Sequence, residues 1–246
     1  MTKHLTTVLL PLIVLLAFPQ VSATPPSMKL DGQVSSGACE SSGTCTLALT
    51  TANGNDVIVV VAQCVAFLSC NVTISSVVDS GGHTWTLRAA YTPSREIWEY
   101  YTIATSPLSS DRITVAWSGS GGLEFVAFGA SGANTRHPWD PSPRLPLEEA
   151  ATSSICSTNS LGYTICTLTF FAIAAEDFVI ISTAVNDDQV CQVTPPFANL
   201  DGYDGVAGLD YAITNLGGSK LRSFVCANSD PVLFLVDAIR GPGSQQ

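Results

Sequence analysis

Asn55-Asp56-Val57-Ile58-Val59-Val60 and, 121 residues later, Glu176-Asp177-Phe178-Val179-Ile180-Ile181 are the stretches on which the fold turns. Each is an apolar, largely β-branched run behind an acid, too short for a typical helix and long enough for a buried central strand. Each is preceded at the same distance by a related segment, Cys45-Thr46-Leu47-Ala48-Leu49 in one case and Cys166-Thr167-Leu168-Thr169-Phe170 in the other. Further on, Tyr101-Thr102-Ile103 matches Tyr211-Ala212-Ile213, Phe125-Val126-Ala127 matches Phe234-Leu235-Val236, and Gly132 falls over Gly241. The order is kept throughout, so the chain reads as a tandem duplication with copies near 30–133 and 150–243.

Both copies read as antiparallel β. In Arg112-Ile113-Thr114-Val115-Ala116-Trp117 the apolar residues alternate, as they do in a half-buried strand. Asp79-Ser80-Gly81-Gly82 joins Ile74–Val78 to His83–Ala90 as a hairpin turn, because glycine reaches positive φ freely. Ser118-Gly119-Ser120-Gly121-Gly122 does the same between the last two strands of the first copy. No segment carries a capped helical stripe. The expected fold is all-β: two tandem antiparallel β-sandwich domains, Ig-like or jelly-roll-like, stapled by disulfides. Their expected spans are 24–133 and 150–246. Between them, 134–149 contains Pro138, Pro141, Pro143 and Pro146 and reads as a connector, either an extended spacer or a segment packed along one domain.

The N-terminus has the form of a secretory signal peptide over 1–23: a basic start at Lys3 and His4, an apolar Val8–Phe18, and a small-residue cleavage site at Val21-Ser22-Ala23. That apolar run is shorter than the roughly 20 residues a spanning helix needs, and no later stretch reaches that length, so no transmembrane segment is expected after cleavage. The localisation expected is secreted or cell-surface. The eight cysteines, at 39, 45, 64, 70, 156, 166, 191 and 226, then imply disulfides. Parity between the copies suggests 39–45 and 156–166; 64 and 70 flank a loop, and 191 and 226 remain. Asn71-Val72-Thr73 is a glycosylation sequon. Ten Lys and Arg among 246 residues, with a net charge of −10, exclude a nucleic-acid surface.

Catalytic signals are sparse. Past the leader only His83 and His137 are available, both in loops, with no nucleophile elbow and no metalloprotease helix. Glycosidase chemistry needs two carboxylates about one bond, and Glu99 with Glu124 is the pair to consider if their strands are neighbours. Trp98 and Tyr100, beside Glu99, are candidates for stacking on a sugar, or else core. Calcium is the candidate cofactor, because residues 145–219 hold nine acids and no Lys or Arg; Asp187, Asp188, Asp201 and Asp204 are the ligands to consider, a solvated acidic surface being the other reading.

The run Ile74-Ser-Ser-Val-Val-Asp79-Ser-Gly-Gly-His83-Thr-Trp85-Thr-Leu87, with the aromatic strand Glu96–Ile103 and the closing strand Gly122–Gly132, resembles uncharacterised exported prokaryotic β-sandwich proteins bearing a V-x-D-S-x-G-N-T-W hairpin. Here His83 stands in place of Asn. The resemblance implies fold and export and brings no catalytic residue. The expected function is non-catalytic: adhesion, envelope structure or binding of an extracellular protein or glycan. A carbohydrate-active module is the alternative. Self-assembly by strand exchange is a further one, with Ser27–Gly32 as donor and the long apolar Val57–Ala62 as a poorly guarded strand.

Overall fold

The computed structural model describes residues 27–39, 43–64, 70–91, 97–174, 176–185, 191–193, 195–200, 207–214, 218–226 and 231–242; the leader, 1–23, lies outside them. Among the described residues there is no helix, and none therefore long and apolar enough to cross a membrane. In the first half the strands are β1 (Lys29–Cys39), β2 (Thr44–Leu49), β3 (Asp56–Cys64), β4 (Asn71–Asp79), β5 (Thr86–Tyr91), β6 (Ile97–Ala104), β7 (Asp111–Ser120) and β8 (Leu123–Ser131). In the second they are β9 (Leu147–Ala150), β10 (Cys156–Thr158), β11 (Thr164–Ala172), β12 (Asp177–Val185), β13 (Gln192–Val193), β14 (Ala198–Asn199), β15 (Ala207–Thr214), β16 (Gly218–Cys226) and β17 (Pro231–Arg240).

Four antiparallel sheets result, ordered β2-β7-β4, β1-β8-β3-β6-β5, β14-β15-β12-β17-β9 and β10-β11-β16-β13. Side-chain direction shows how they stack. Along β3, Ile58, Val60 and Ala62 pack with Ile113, Val115 and Trp117 of β7, while Val57, Val59 and Val61 pack with Phe178 and Ile180 of β12. The two five-stranded sheets thus lie face to face, each covered on its other side by a smaller sheet. A strand in an inner layer is buried on both faces and has no reason to alternate. This explains why every residue of β3 and β8 is buried, whereas β7 and β11, in the outer layers, alternate over most of their length.

The halves share their pairing. Val59 lies opposite Tyr101 and Phe128; Ile180 lies opposite Tyr211 and Asp237. The proline segment is no free spacer. Trp139 bridges to Ile239 of β17 as Leu30 of β1 pairs with Ala130 of β8, and β9 continues along β17. Asp140 accepts from the backbone N–H groups of Ile173 (2.8 Å) and Ala174 (2.6 Å), just as Asp31 accepts from Ala52 (3.0 Å) and Asn53 (2.7 Å). Both aspartates hold the loop ahead of a central strand.

Disulfides join Cys39 to Cys45 and Cys156 to Cys166, the pairs that the parity of the halves suggests, and Cys64 to Cys70 across the loop they flank. Cys191 is also disulfide-bonded; the side chain of Cys226 lies outside the described ones. The strands expected to take part in exchange are already occupied. Val57–Ala62 is central, flanked by β6 and β8, and the segment from Lys29 onward is β1 itself, paired with β8 of its own chain.

Candidate functional site

At the end of β4 the chain reverses through Ser80-Gly81-Gly82, with Gly82 at φ 73° and its N–H donating to the Asp79 carbonyl (3.4 Å). The reversal sets His83 beside two carboxylates. Its Nδ1 lies 3.1 Å from Asp79 Oδ2 and 3.9 Å from Asp111 Oδ2, and the three ligand atoms fall within 4.8 Å of one another. Both acids are held by hydrogen bonds. Asp79 Oδ1 accepts from the His83 N–H (3.0 Å) and Oδ2 from the Trp85 indole N–H (2.7 Å). Asp111 Oδ1 accepts from the Ser80 hydroxyl (2.5 Å) and the Gly81 N–H (2.9 Å), while its Oδ2 is buried with no hydrogen-bond donor among the described residues. The His83 side chain is 23% exposed and faces a cleft of about 350 Å³, walled opposite by Thr105, Ser106 and Pro107. His83 is therefore a held residue between acids, unlike the freely exposed loop histidine expected; His137 is exposed.

The carbohydrate candidates are placed otherwise. Trp98, 6% exposed, packs between β6 and the β2-β7-β4 sheet with Tyr100 half-buried next to it, because alternate residues of β6 face that core. Trp98 is thus core, one of the two readings open to it, and offers no open stacking face. Glu99 and Glu124 point the other way, into the junction between the two large sheets, and are 0% and 2% exposed. Their strands are not neighbours: Glu99 pairs with Val61 and Glu124 with Gln63, on opposite sides of β3. Two strand spacings and two residues along the chain put their Cα atoms about 12 Å apart. Long Glu side chains can span part of that distance, but both carboxyls are sealed from solvent among packed side chains, where no sugar reaches them. Glu99 and Glu124 do not form a hydrolytic pair.

What Glu99 meets instead is a charge cluster that spans the halves. Arg88 of β5 donates from Nε (2.7 Å) and Nη2 (3.2 Å) to the Asp237 carboxylate of β17, and its guanidinium lies 4.8 Å from the Trp139 ring centroid. Burial, followed by the charge of Asp237, raises the Glu99 pKa well above its ordinary value against the pull of Arg88. Burial also raises that of Asp237, against the bonds from Arg88. A second acid pair, Asp31 with Asp56, lies at the start of β3. Among the described residues the Asp56 carboxyl has no donor within reach, and burial together with Asp31 pushes its pKa to about 7. Asp31 is lowered, because bonds from Ala52 and Asn53 outweigh its burial.

Asn71 of the sequon is exposed at the start of β4. The calcium candidates Asp187, Asp188, Asp201 and Asp204 lie outside the described residues. Sequence reasoning passed over Asp79, Asp111 and Arg88. Asp79 was within reach through the Asp-Ser-Gly-Gly-His turn; Asp111 and Asp237 come from strands distant in sequence and carry no local signal.

No protein-family model, curated protein or solved structure matches this chain.

Proposed function

We propose that this chain is an exported, non-catalytic structural or binding protein that acts at or beyond the cell surface, built by duplication of one β-sandwich unit. The observation that carries the reading is the junction between the halves. Phe128 stacks on Phe178 at 5.5 Å, Phe178 on Tyr211 at 4.9 Å, and the strongest candidate acids are sealed there as part of the packing. A face buried this fully makes the two halves one rigid body, which suits a structural or presenting role. Disulfides at 39–45, 64–70 and 156–166 support an oxidising compartment. Duplication is supported by the shared pairing of Val59 and Ile180 and by the matched loop contacts of Asp31 and Asp140. On this reading the second unit begins with the Trp139-Asp140 stretch, which is the counterpart of Leu30-Asp31, so the connector of 134–149 belongs to that unit from Trp139 onward.

The test is to express the full chain with a C-terminal tag in an export-competent host and fractionate the cells. The expected result is a disulfide-bonded protein outside the cytoplasm whose N-terminus is Thr24. A reduced, uncleaved cytoplasmic protein would overturn the export reading, and turnover of any member of a glycoside panel would overturn the non-catalytic one.

A further inference from the structure

We propose that Asp79, His83 and Asp111 form a binding site for one divalent transition-metal cation, with zinc the best match, open to the cleft on one side. The three side chains supply one imidazole nitrogen and two carboxylate oxygens within 4.8 Å of one another. Tetrahedral ligands at zinc bond lengths stand about 3.3 Å apart, and the contacts from His83 Nδ1 are 3.1 and 3.9 Å.

Two further observations point to a ligand. Asp111 is 7% exposed, and its Oδ2 has no hydrogen-bond donor although it is aimed at the His83 ring. A buried carboxylate oxygen left in this state is costly, and a cation is the partner that satisfies it. Space is also kept there: a Cβ at Gly81 would lie 2.6 Å from His83 Cε1, 2.8 Å from His83 Nδ1 and 3.3 Å from Asp111 Oδ2. The bonds from Trp85 to Asp79, and from Ser80 and Gly81 to Asp111, fix the orientation of both acids, as outer-shell partners of metal ligands do.

The ligand chemistry selects the ion. Calcium takes six to eight oxygens, whereas one imidazole and two carboxylates suit zinc and its neighbours. Three protein ligands leave a fourth position, facing the cleft lined by Thr105, Ser106 and Pro107, for water or a donor group of a partner. The competing account is an imidazolium held between the two carboxylates with no metal at all.

The experiment titrates the disulfide-intact, chelator-stripped mature chain with zinc chloride, followed by calorimetry, melting temperature and tryptophan fluorescence. The expected result is one equivalent bound, a rise of several degrees in melting temperature, and a fluorescence change that disappears in Trp85→Phe. His83→Gln and Asp111→Asn each weaken binding at least tenfold, and Gly81→Ala blocks the site. His137→Gln leaves it intact, and millimolar calcium does not compete. His83→Gln, a change at a partly exposed ring, serves if Asp111→Asn does not fold. Absence of heat and of any melting shift overturns the proposal. Undiminished binding in His83→Gln does the same, by placing the metal elsewhere.

Discussion

Replacing Asp56 by Asn turns the buried acid pair at the start of β3 into a measurable pH effect. Asp56 is fully buried and without a donor, and it faces Asp31, whose oxygens are already engaged by Ala52 and Asn53. Its pKa is carried from 3.8 to about 7, first by burial and then by Asp31, with Lys29 pulling weakly the other way. A carboxyl with a raised native pKa binds its proton more tightly folded than unfolded. Its contribution is therefore greatest below about pH 4, declines as pH rises toward 7, and is flat above. At about 1.4 kcal/mol per pH unit the full span corresponds to about 4 kcal/mol, which is a ceiling because relaxation around the ionised group reduces it. Asn keeps the shape and donates to Asp31 at every pH. The variant should match the parent near pH 5 and exceed it by about 1.5–2.5 kcal/mol near pH 8, or roughly 3–10 °C in melting temperature for a chain of this size. Thermal melts between those limits, at fixed ionic strength with disulfides intact, give the difference directly. A gap between variant and parent that stays constant with pH would refute the reasoning.

Other perturbations probe the junction and the cores. Arg88→Met leaves Asp237 buried without its bidentate partner, and should cost about 3–5 kcal/mol near neutral pH and less in acid, as read by denaturant unfolding across pH. Glu99→Gln removes the acid that must otherwise hold a proton beside Asp237; it should stabilise the chain near pH 8 relative to pH 5 in the same assay. Trp98→Ala empties a core position and should cost about 3–5 kcal/mol without changing any glycan-array signal, because the ring does not face solvent. Gly119→Ala places a Cβ 1.8 Å from the Asn71 carbonyl at φ 105°; the β4–β7 pairing must then shift, and faster amide exchange across β4 and β7 would show it.

Reading the fold from sequence worked best where periodicity reports burial directly. The alternation of Arg112–Trp117 marks a strand with one wet face, and it lies in an outer layer. The unbroken Val57–Ala62 marks a strand with none, which sequence reads as central; the structure adds the reason, that the face not covered by β7 is covered by β12. Reading the candidate site from sequence worked least well where direction decides. Trp98 and Glu99 are adjacent, so they point to opposite faces, one into the core of the first half and the other into the junction between halves. A cluster of aromatic and acidic letters therefore formed no common surface. For the proline segment the sequence left two readings open, because its Pro residues say only that it is extended; a segment packed along β17, the second of them, is extended too.

By itself the sequence determined the strand class, the repeated order of segments and the cysteine parity that matches the bonds formed, because these depend on local residue type and on spacing along the chain. The face-to-face joining of the halves, the Arg88–Asp237 bond across 149 residues and the meeting of Asp111 with the Asp79–His83 turn were decided only by tertiary structure. Each requires two strands distant in sequence to share a face, and no local pattern encodes which surface a strand will find.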